Sequence, residues 1–173
     1  LPRSRGLGDV YKRQLVEVIH SALSLSGAMI QYAKINISIS NAQNPYVHNR
    51  RNELIQVCMN LIKNAHDALL EIGKSERTIG FSIHSDKKRA SLSIEDNAGG
   101  VDKTIIDKIF NPYFTTKPES QGTGIGLYMS KSIVEERLNG TLHVENTSEG
   151  ARFTIILPEV NPEDSTDQVA SIL

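Results

Sequence analysis

The chain has 173 residues, 39% hydrophobic and 23% charged, and a net charge of −1. That is enough apolar mass for one globular domain with a buried core, and the balanced charge supplies no global field for nucleic acid or an anionic membrane. The single cysteine excludes an intrachain disulfide framework, the five histidines form no metal-ligand spacing with each other or with Cys58, and no run of 18 apolar residues is present to cross a membrane.

Residues 1–14 (LPRSRGLGDVYKRQ) show no clear periodicity and resemble translated adaptor sequence. They are set outside the fold, as a non-native segment or a disordered arm, and the lack of an initiator methionine reads as a fragment or a processed chain. The following stretch LVEVIHSALSLSGA has the outline of a signal peptide, but Glu17 and His20 interrupt it. Leu15 to Ala33 instead predicts one helix, with Leu15, Val18, Ile19, Ala22, Leu25, Met29 and Tyr32 at helical spacing. Ile35 to Ser40 alternates as a half-buried strand, Asn41 to Pro45 is a turn, and Tyr46 to His48 is a short strand.

Glu53 to Glu71 is the strongest helical stretch. Leu54, Val57, Cys58, Leu61, Ile62, Ala65, Leu69 and Ile72 form one apolar face, and Glu53, Gln56, Asn60, Asn64, Asp67 and Glu71 a polar stripe. On that face Cys58 reads as a packed thiol. Asn49 or Asn52 is the expected N-cap, and Gly73-Lys74-Ser75 ends the helix. Thr78 to Ser85 and Ala90 to Asp96 predict a hairpin turning at Asp86-Lys87-Lys88. Val101 to Phe110 predicts a short helix capped by Asp102 or Thr104, and Asn111 to Gln121 a polar loop. Gly122-Thr123-Gly124-Ile125-Gly126 opens a helix to about Leu138, ended by Asn139-Gly140. Two strands, Thr141 to Asn146 and Arg152 to Leu157, close the fold, and the chain beyond Pro158 reads as a disordered tail, 159–173. The domain is therefore placed at 15–158.

Four places carry chemistry. Asn60 and Asn64 lie four apart and point the same way. Their amide oxygens suit a magnesium ion that completes its shell with waters and phosphates, although an ordinary solvated helix face explains the pair as well. Asp96 ends a strand before Gly99 and Gly100, where a carboxylate can accept adenine's amino hydrogens and glycines admit a flat ring, or where the chain simply turns. Lys117 is either a point charge for phosphate or a solvated surface lysine. The glycine cluster ahead of a helix exposes backbone N–H groups toward phosphate. No Gly-Lys-Ser/Thr follows it and no strand precedes it, so it is neither a Walker loop nor a dinucleotide fingerprint.

Taken in order, Asn60 to Leu69 (NLIKNAHDAL), Asp96-Asn97-Ala98-Gly99-Gly100, Ile109 to Lys117 and Gly122 to Leu127 resemble the N, first glycine, F and second glycine boxes of sensor histidine kinases. The resemblance covers roughly residues 15–158, and Gly150 matches the family's last glycine position; Ala98 stands where many members carry glycine. It implies the GHKL or Bergerat ATP-binding fold of Hsp90, gyrase B and MutL: an α/β (α+β) two-layer sandwich, with a mixed β-sheet and helices packed on one face.

ATP is the implied substrate and Mg2+ the implied cofactor. Asp96, Gly100 and Val101 would hold adenine, Asn60 and Asn64 metal and phosphate with Asn64 the principal metal ligand, and Asp67 would belong to the ATP site. Lys117, Gly122, Thr123, Gly124 and Gly126 would cradle phosphates and Leu127 would wall the pocket. The loop at 111–121 would be the lid, with Phe110, Tyr113 and Phe114 either pinning it to the core or docking it on the domain that carries the phosphoacceptor.

Relatives that hydrolyse ATP carry a glutamate base where Asn60 stands, which favours transfer to a histidine over hydrolysis. The acceptor is usually followed by Glu or Asp in an upstream dimerising hairpin. His20 precedes Ser21, and His66, though followed by Asp67, lies inside the first box. The chain is expected to bind ATP without phosphorylating itself. Its expected partners are a dimerisation domain carrying the acceptor and, downstream, a response-regulator receiver domain, with no nucleic acid and no direct membrane contact. Its expected location is cytoplasmic, with inner-membrane anchoring of a longer protein left open. A serine kinase of the anti-sigma-factor type or a GHKL ATPase is the alternative, and a nucleotide-free binding module a more remote one.

Overall fold

Alternation builds the sheet. Ile79, Phe81 and Ile83 are buried on one strand, Ala90, Leu92 and Ile94 on the next, and Phe153, Ile155 and Leu157 on a third. Between them stand small polar residues such as Ser93 and Thr154, whose hydroxyls lie 2.9 Å apart on the opposite face. The computed structural model describes residues 10–50, 52–161 and 163. Its strands are β1 (Val10–Gln14), β2 (Ile35–Asn41), β3 (Tyr46–Arg50), β4 (Arg77–Asp86), β5 (Arg89–Asp96), β6 (Thr141–Asn146) and β7 (Ala151–Pro158). Its helices are α1 (Leu15–Leu25), α2 (Gly27–Tyr32), α3 (Glu53–Ile72) and α4 (Gly126–Ser132), the last running into a π-helical turn, Ile133–Arg137.

Five strands form one mixed sheet in the order β2-β4-β5-β7-β6, with β2 parallel to β4 and every other pairing antiparallel. Helices cover the face that carries Ile79, Phe81, Leu92 and Ile155, giving the expected two-layer sandwich. Beneath them α3 buries Leu54, Val57, Cys58, Leu61, Ile62, Ala65 and Leu69. Burial pushes the Cys58 thiol up to about 12, so it packs as an inert apolar group. Among the described residues no helix is long and apolar enough to cross a membrane.

The structure departs from the sequence reading at several points. Val10–Gln14, set outside the domain, form β1 and pair antiparallel with β3. The single helix over 15–33 breaks at Ser26, which turns the apolar stripe: Ile30 and Ala33 are buried while Leu25 and Tyr32 are exposed. The helix over 101–110 is absent. Asp102 Oδ1 instead accepts the amide and the hydroxyl of Thr104, and Ile105, Lys108 and Asn111 each donate three residues back, giving a chain of turns. The last helix reaches Arg137, but its final part is π-helical.

Asn52 sits at the α3 N-cap in the left-handed region without a side-chain cap; Asn49, from β3, accepts the Leu54 amide at 3.1 Å instead. Two residues of the central helix also fall outside their predicted faces. Ile72 is exposed, and Glu53 is buried, held by Arg137 at 2.6 Å.

Candidate functional site

A cavity of about 650 Å³ opens between α3, the loop after β5, the lid and the start of α4. Asn60, Asn64, Asp96, Gly100, Val101, Lys117, Gly122, Thr123, Gly124, Gly126 and Leu127 all line it, so segments 67 residues apart in sequence meet in one place. Asp67 is the exception: it is not among the lining residues and acts on Lys117 instead.

The acidic end follows from strand register. Ala90, Leu92 and Ile94 face the helices, so Asp96, two residues on, faces them too and is buried. Its Oδ1 accepts the Ala98 amide at 2.9 Å and the Ala151 amide at 3.3 Å, while Oδ2 takes no hydrogen bond among the described residues. Burial pushes the carboxyl up; the two backbone donors pull it down without cancelling that effect. The result is a desolvated acceptor with one oxygen unused. Ala68, Ile105, Ile109 and Phe153 line the same cavity and supply apolar surface for a flat ring.

On α3 the two asparagines are held differently. Asn60 Nδ2 donates to Ser130 Oγ at 2.9 Å, and Ser130 is buried, so the amide is fixed with Oδ1 toward α4. A Cβ on Gly126 would fall 2.5 Å from that oxygen, so only glycine lets the chain pass there. Asn64 Nδ2 is buried with no hydrogen-bond partner among the described residues. A buried amide left unpaired is costly, and this one belongs to a residue of the cavity wall.

The lid is tethered at both ends. Phe110 packs edge-on against Phe153, with ring centres 6.3 Å apart, and Lys131 Nζ sits 4.8 Å from the Phe110 ring centre. Phe114 also packs on the core, whereas Tyr113 is exposed with φ +65°. The three aromatics therefore divide: two pin the loop and one projects outward. At the far side Tyr113 N donates to Gly124 O at 2.9 Å. Lys117 Nζ reaches back to Asp67 Oδ2 at 2.5 Å, an oxygen shared with Lys63 at 2.8 Å, and His66 Nδ1 lies 2.9 Å from Oδ1. Burial pushes the Asp67 carboxyl up, but Lys117, Lys63 and His66 outweigh it and hold it at about 2.

Two contributors escaped the sequence reading. Ser130 falls one helical turn after Gly126, a spacing that marks it as facing the same way, but its partner Asn60 lies 70 residues back. Asn146 ends β6 and bonds the Val101 N–H and C=O at a separation of 45 residues, which no local pattern announces.

This fold and cavity define an ATP-binding domain of the GHKL α/β-sandwich class. The chain belongs to the family described as histidine kinase-, DNA gyrase B- and HSP90-like ATPase, whose model matches residues 49–161. It is 34% identical over 148 residues to the two-component sensor PprA of Pseudomonas aeruginosa, an alignment covering 83% of this chain and 16% of that protein. It superposes on the catalytic domain of histidine kinase ThkA with a TM-score of 0.75 and 26% identity, over 87% of this chain and 96% of that one. ThkA in complex with the response regulator protein TrrA matches with a TM-score of 0.70 and 23% identity, over 87% of this chain and 42% of that one. The chain spans 16% of the length of PprA and 26% of that of the sensor protein TdiS of Thauera aromatica, to which it is also 34% identical.

Proposed function

We propose that this chain is the catalytic part of a sensor histidine kinase, binding Mg-ATP for transfer of its γ-phosphoryl group to a histidine on a dimerisation domain. One observation carries the reading: the unused oxygen of buried Asp96 and the unpartnered amide of Asn64 belong to the same cavity. The first suits the adenine amino group, and the second, an N–H donor, suits a phosphate oxygen.

The donor set fits magnesium. Asn60 carries an Oδ1 fixed by the bond of its Nδ2 to Ser130, and Asn64 carries a second amide oxygen one helical turn on, both neutral oxygens of the kind this ion takes beside water and phosphate. Bound there, magnesium would neutralise phosphate charge and orient the triphosphate. The remaining roles fall to the chain. Asp96, Gly100 and Val101 seat the base; Gly122, Thr123, Gly124 and Gly126 line the phosphate end; Lys117 supplies a positive charge; Leu127 closes a wall. Phosphoryl transfer asks mainly for positioning and charge stabilisation, and this set provides both. With Asn60 where hydrolysing relatives carry a carboxylate, no side chain at that position can draw a proton from water, which disfavours the ATPase alternative.

The acceptor and a response-regulator receiver domain are the proposed partners, supported by the likeness to sensor kinases and by a neighbour solved with its response regulator. The domain works on the cytoplasmic side, where ATP is available, and any inner-membrane anchor belongs to other segments of the protein.

Calorimetry with Mg-ATP and with ADP tests this for wild type, Asn64→Ala and Asp96→Asn. Magnesium-dependent binding by wild type, lost or strongly weakened in both variants, is expected. A wild-type chain that binds neither nucleotide would reduce the reading to likeness of fold.

A further inference from the structure

The loop that would seat the base is held largely from outside itself. Gly99 and Gly100 both have φ +86°, a region open to glycine at little cost and therefore one that does not by itself fix where the loop stands. The β6–β7 hairpin holds it. Gly99 N donates to Glu149 O at 2.9 Å, and Ala151 N donates to Asp96 Oδ1 at 3.3 Å. Most specifically, Asn146 grips the backbone of Val101 on both sides with its two amide atoms: Oδ1 accepts the Val101 N–H at 2.8 Å, and Nδ2 donates to the Val101 carbonyl at 2.7 Å. The same amide stands where a Cβ on Gly100 would come within 2.7 Å, so the side chain lies flush against the loop.

Asn146 is solvent-exposed and does not line the cavity. An exposed asparagine normally exchanges its hydrogen bonds with water at little cost. One that pairs with both the N–H and the C=O of a single residue fixes where that residue stands, and Val101, with Gly100 before it, lines the cavity beside Asp96.

We infer that Asn146 is a positioning residue for base recognition: it holds the Val101 backbone at the adenine end of the cavity from behind. This rests on the nucleotide-binding reading and extends it, by assigning base selectivity to a residue that touches no nucleotide. The grip needs one acceptor and one donor. Aspartate keeps the shape and the acceptor but sets a carboxylate oxygen against the Val101 carbonyl, while alanine removes both bonds without adding charge.

The test is calorimetry of wild type, Asn146→Asp and Asn146→Ala with ADP and with inorganic tripolyphosphate, which has no base. Both variants should bind ADP about tenfold more weakly, by analogy with a lost hydrogen-bond partner. Tripolyphosphate affinity should be unchanged, and the preference for ADP over GDP should narrow. Equal loss for both ligands would assign Asn146 a general structural role and overturn the proposal, as would unchanged ADP binding. Failure of wild type to bind ADP at all would instead remove the reading beneath it. Should either variant fail to fold, amide exchange in the wild-type chain decides. Val101 N–H is expected to exchange at least tenfold more slowly than the exposed amide of Lys103, and to slow further with ADP; fast exchange at Val101 overturns the proposal.

Discussion

Lys117 Nζ of the lid and Asp67 Oδ2 of α3 lie 2.5 Å apart, so the lid lysine is engaged before any phosphate arrives. Asp67 is itself crowded by Lys63 and His66. To meet a phosphate, Lys117 has to leave Asp67, which makes the aspartate a competitor of the nucleotide rather than a ligand for it. Asp67→Asn weakens that competition and should tighten Mg-ATP binding about threefold to tenfold, the scale of a partly exposed ion pair. Lys117→Ala should weaken it by a comparable factor. Calorimetry at low ionic strength checks both; weaker binding by Asp67→Asn would instead make Asp67 part of the nucleotide site.

Asp96 should be a residue whose function costs stability. Its folded pKa is raised, chiefly by burial, above the ordinary carboxylate value of about 3.9. The stabilisation linked to its protonation is therefore fully present below that unfolded value and is lost as pH rises through the folded one. At neutral pH the buried carboxylate is a burden on the fold. Asp96→Asn should raise the melting temperature of the nucleotide-free protein by about 2–4 °C, the size expected for roughly 1 kcal/mol, while abolishing ADP binding. In wild type, ADP binding should fail on acidification at a pH above the ordinary carboxylate range. A melting temperature that falls in Asp96→Asn would mean that the two backbone donors to Oδ1 outweigh the cost of burial.

What could be read from residues alone, and what could not, follows the range of the interactions. Period-2 alternation placed β4, β5 and β7 and carries Asp96 to the helix face, because side-chain direction along a strand is a local property. Period 3.6 placed α3 and aligned Asn60 with Asn64. The same logic failed for Glu53, which falls on the polar stripe yet is buried, because Arg137 meets it from 84 residues away. It failed for 101–110, where side-chain bonds from Asp102 win against helical ones. It failed for β1, which has no periodicity of its own and exists by pairing with β3. Of the residues expected at the site from the family motifs, all but Asp67 line one cavity, whereas Ser130 and Asn146 act through partners distant in sequence.

The Glu53–Arg137 pair joins the first turn of α3 to the π-helical turn after α4. Glu53 is buried and its Oε2 has no partner among the described residues, while the Arg137 side chain is 58% exposed. Removing Arg137 would strand a buried carboxylate. Because one partner is solvated, the cost is smaller than for a fully buried pair: Arg137→Ala should destabilise by about 1–2 kcal/mol. Arg137→Ala combined with Glu53→Gln should recover part of it, since no charge is then stranded. Urea unfolding of the four proteins measures the coupling, and additive losses would show that the pair contributes only through its separate packing.

Gly124 tests whether lid anchoring can be separated from folding. Its φ is +66°, a region open to glycine at little cost, and a Cβ there would fall 2.7 Å from the Tyr113 Cα and carbonyl oxygen. Gly124→Ala thus meets two obstacles, backbone strain and a collision with backbone that has no flexible end to move aside. The relief available is to shift the lid, breaking the Tyr113 N to Gly124 O hydrogen bond. The sheet and α3 do not depend on that bond, so the variant should stay folded and lose little stability, about 1 kcal/mol. The lid carries Lys117, so Mg-ATP binding should fall by more than tenfold. AMP reaches only the Asp96 end and should bind nearly as in wild type. Calorimetry with the two nucleotides, beside a thermal melt, separates the effects. Equal loss of AMP and ATP binding would show that the strain at Gly124 spreads through α4 to the whole cavity instead of stopping at the lid.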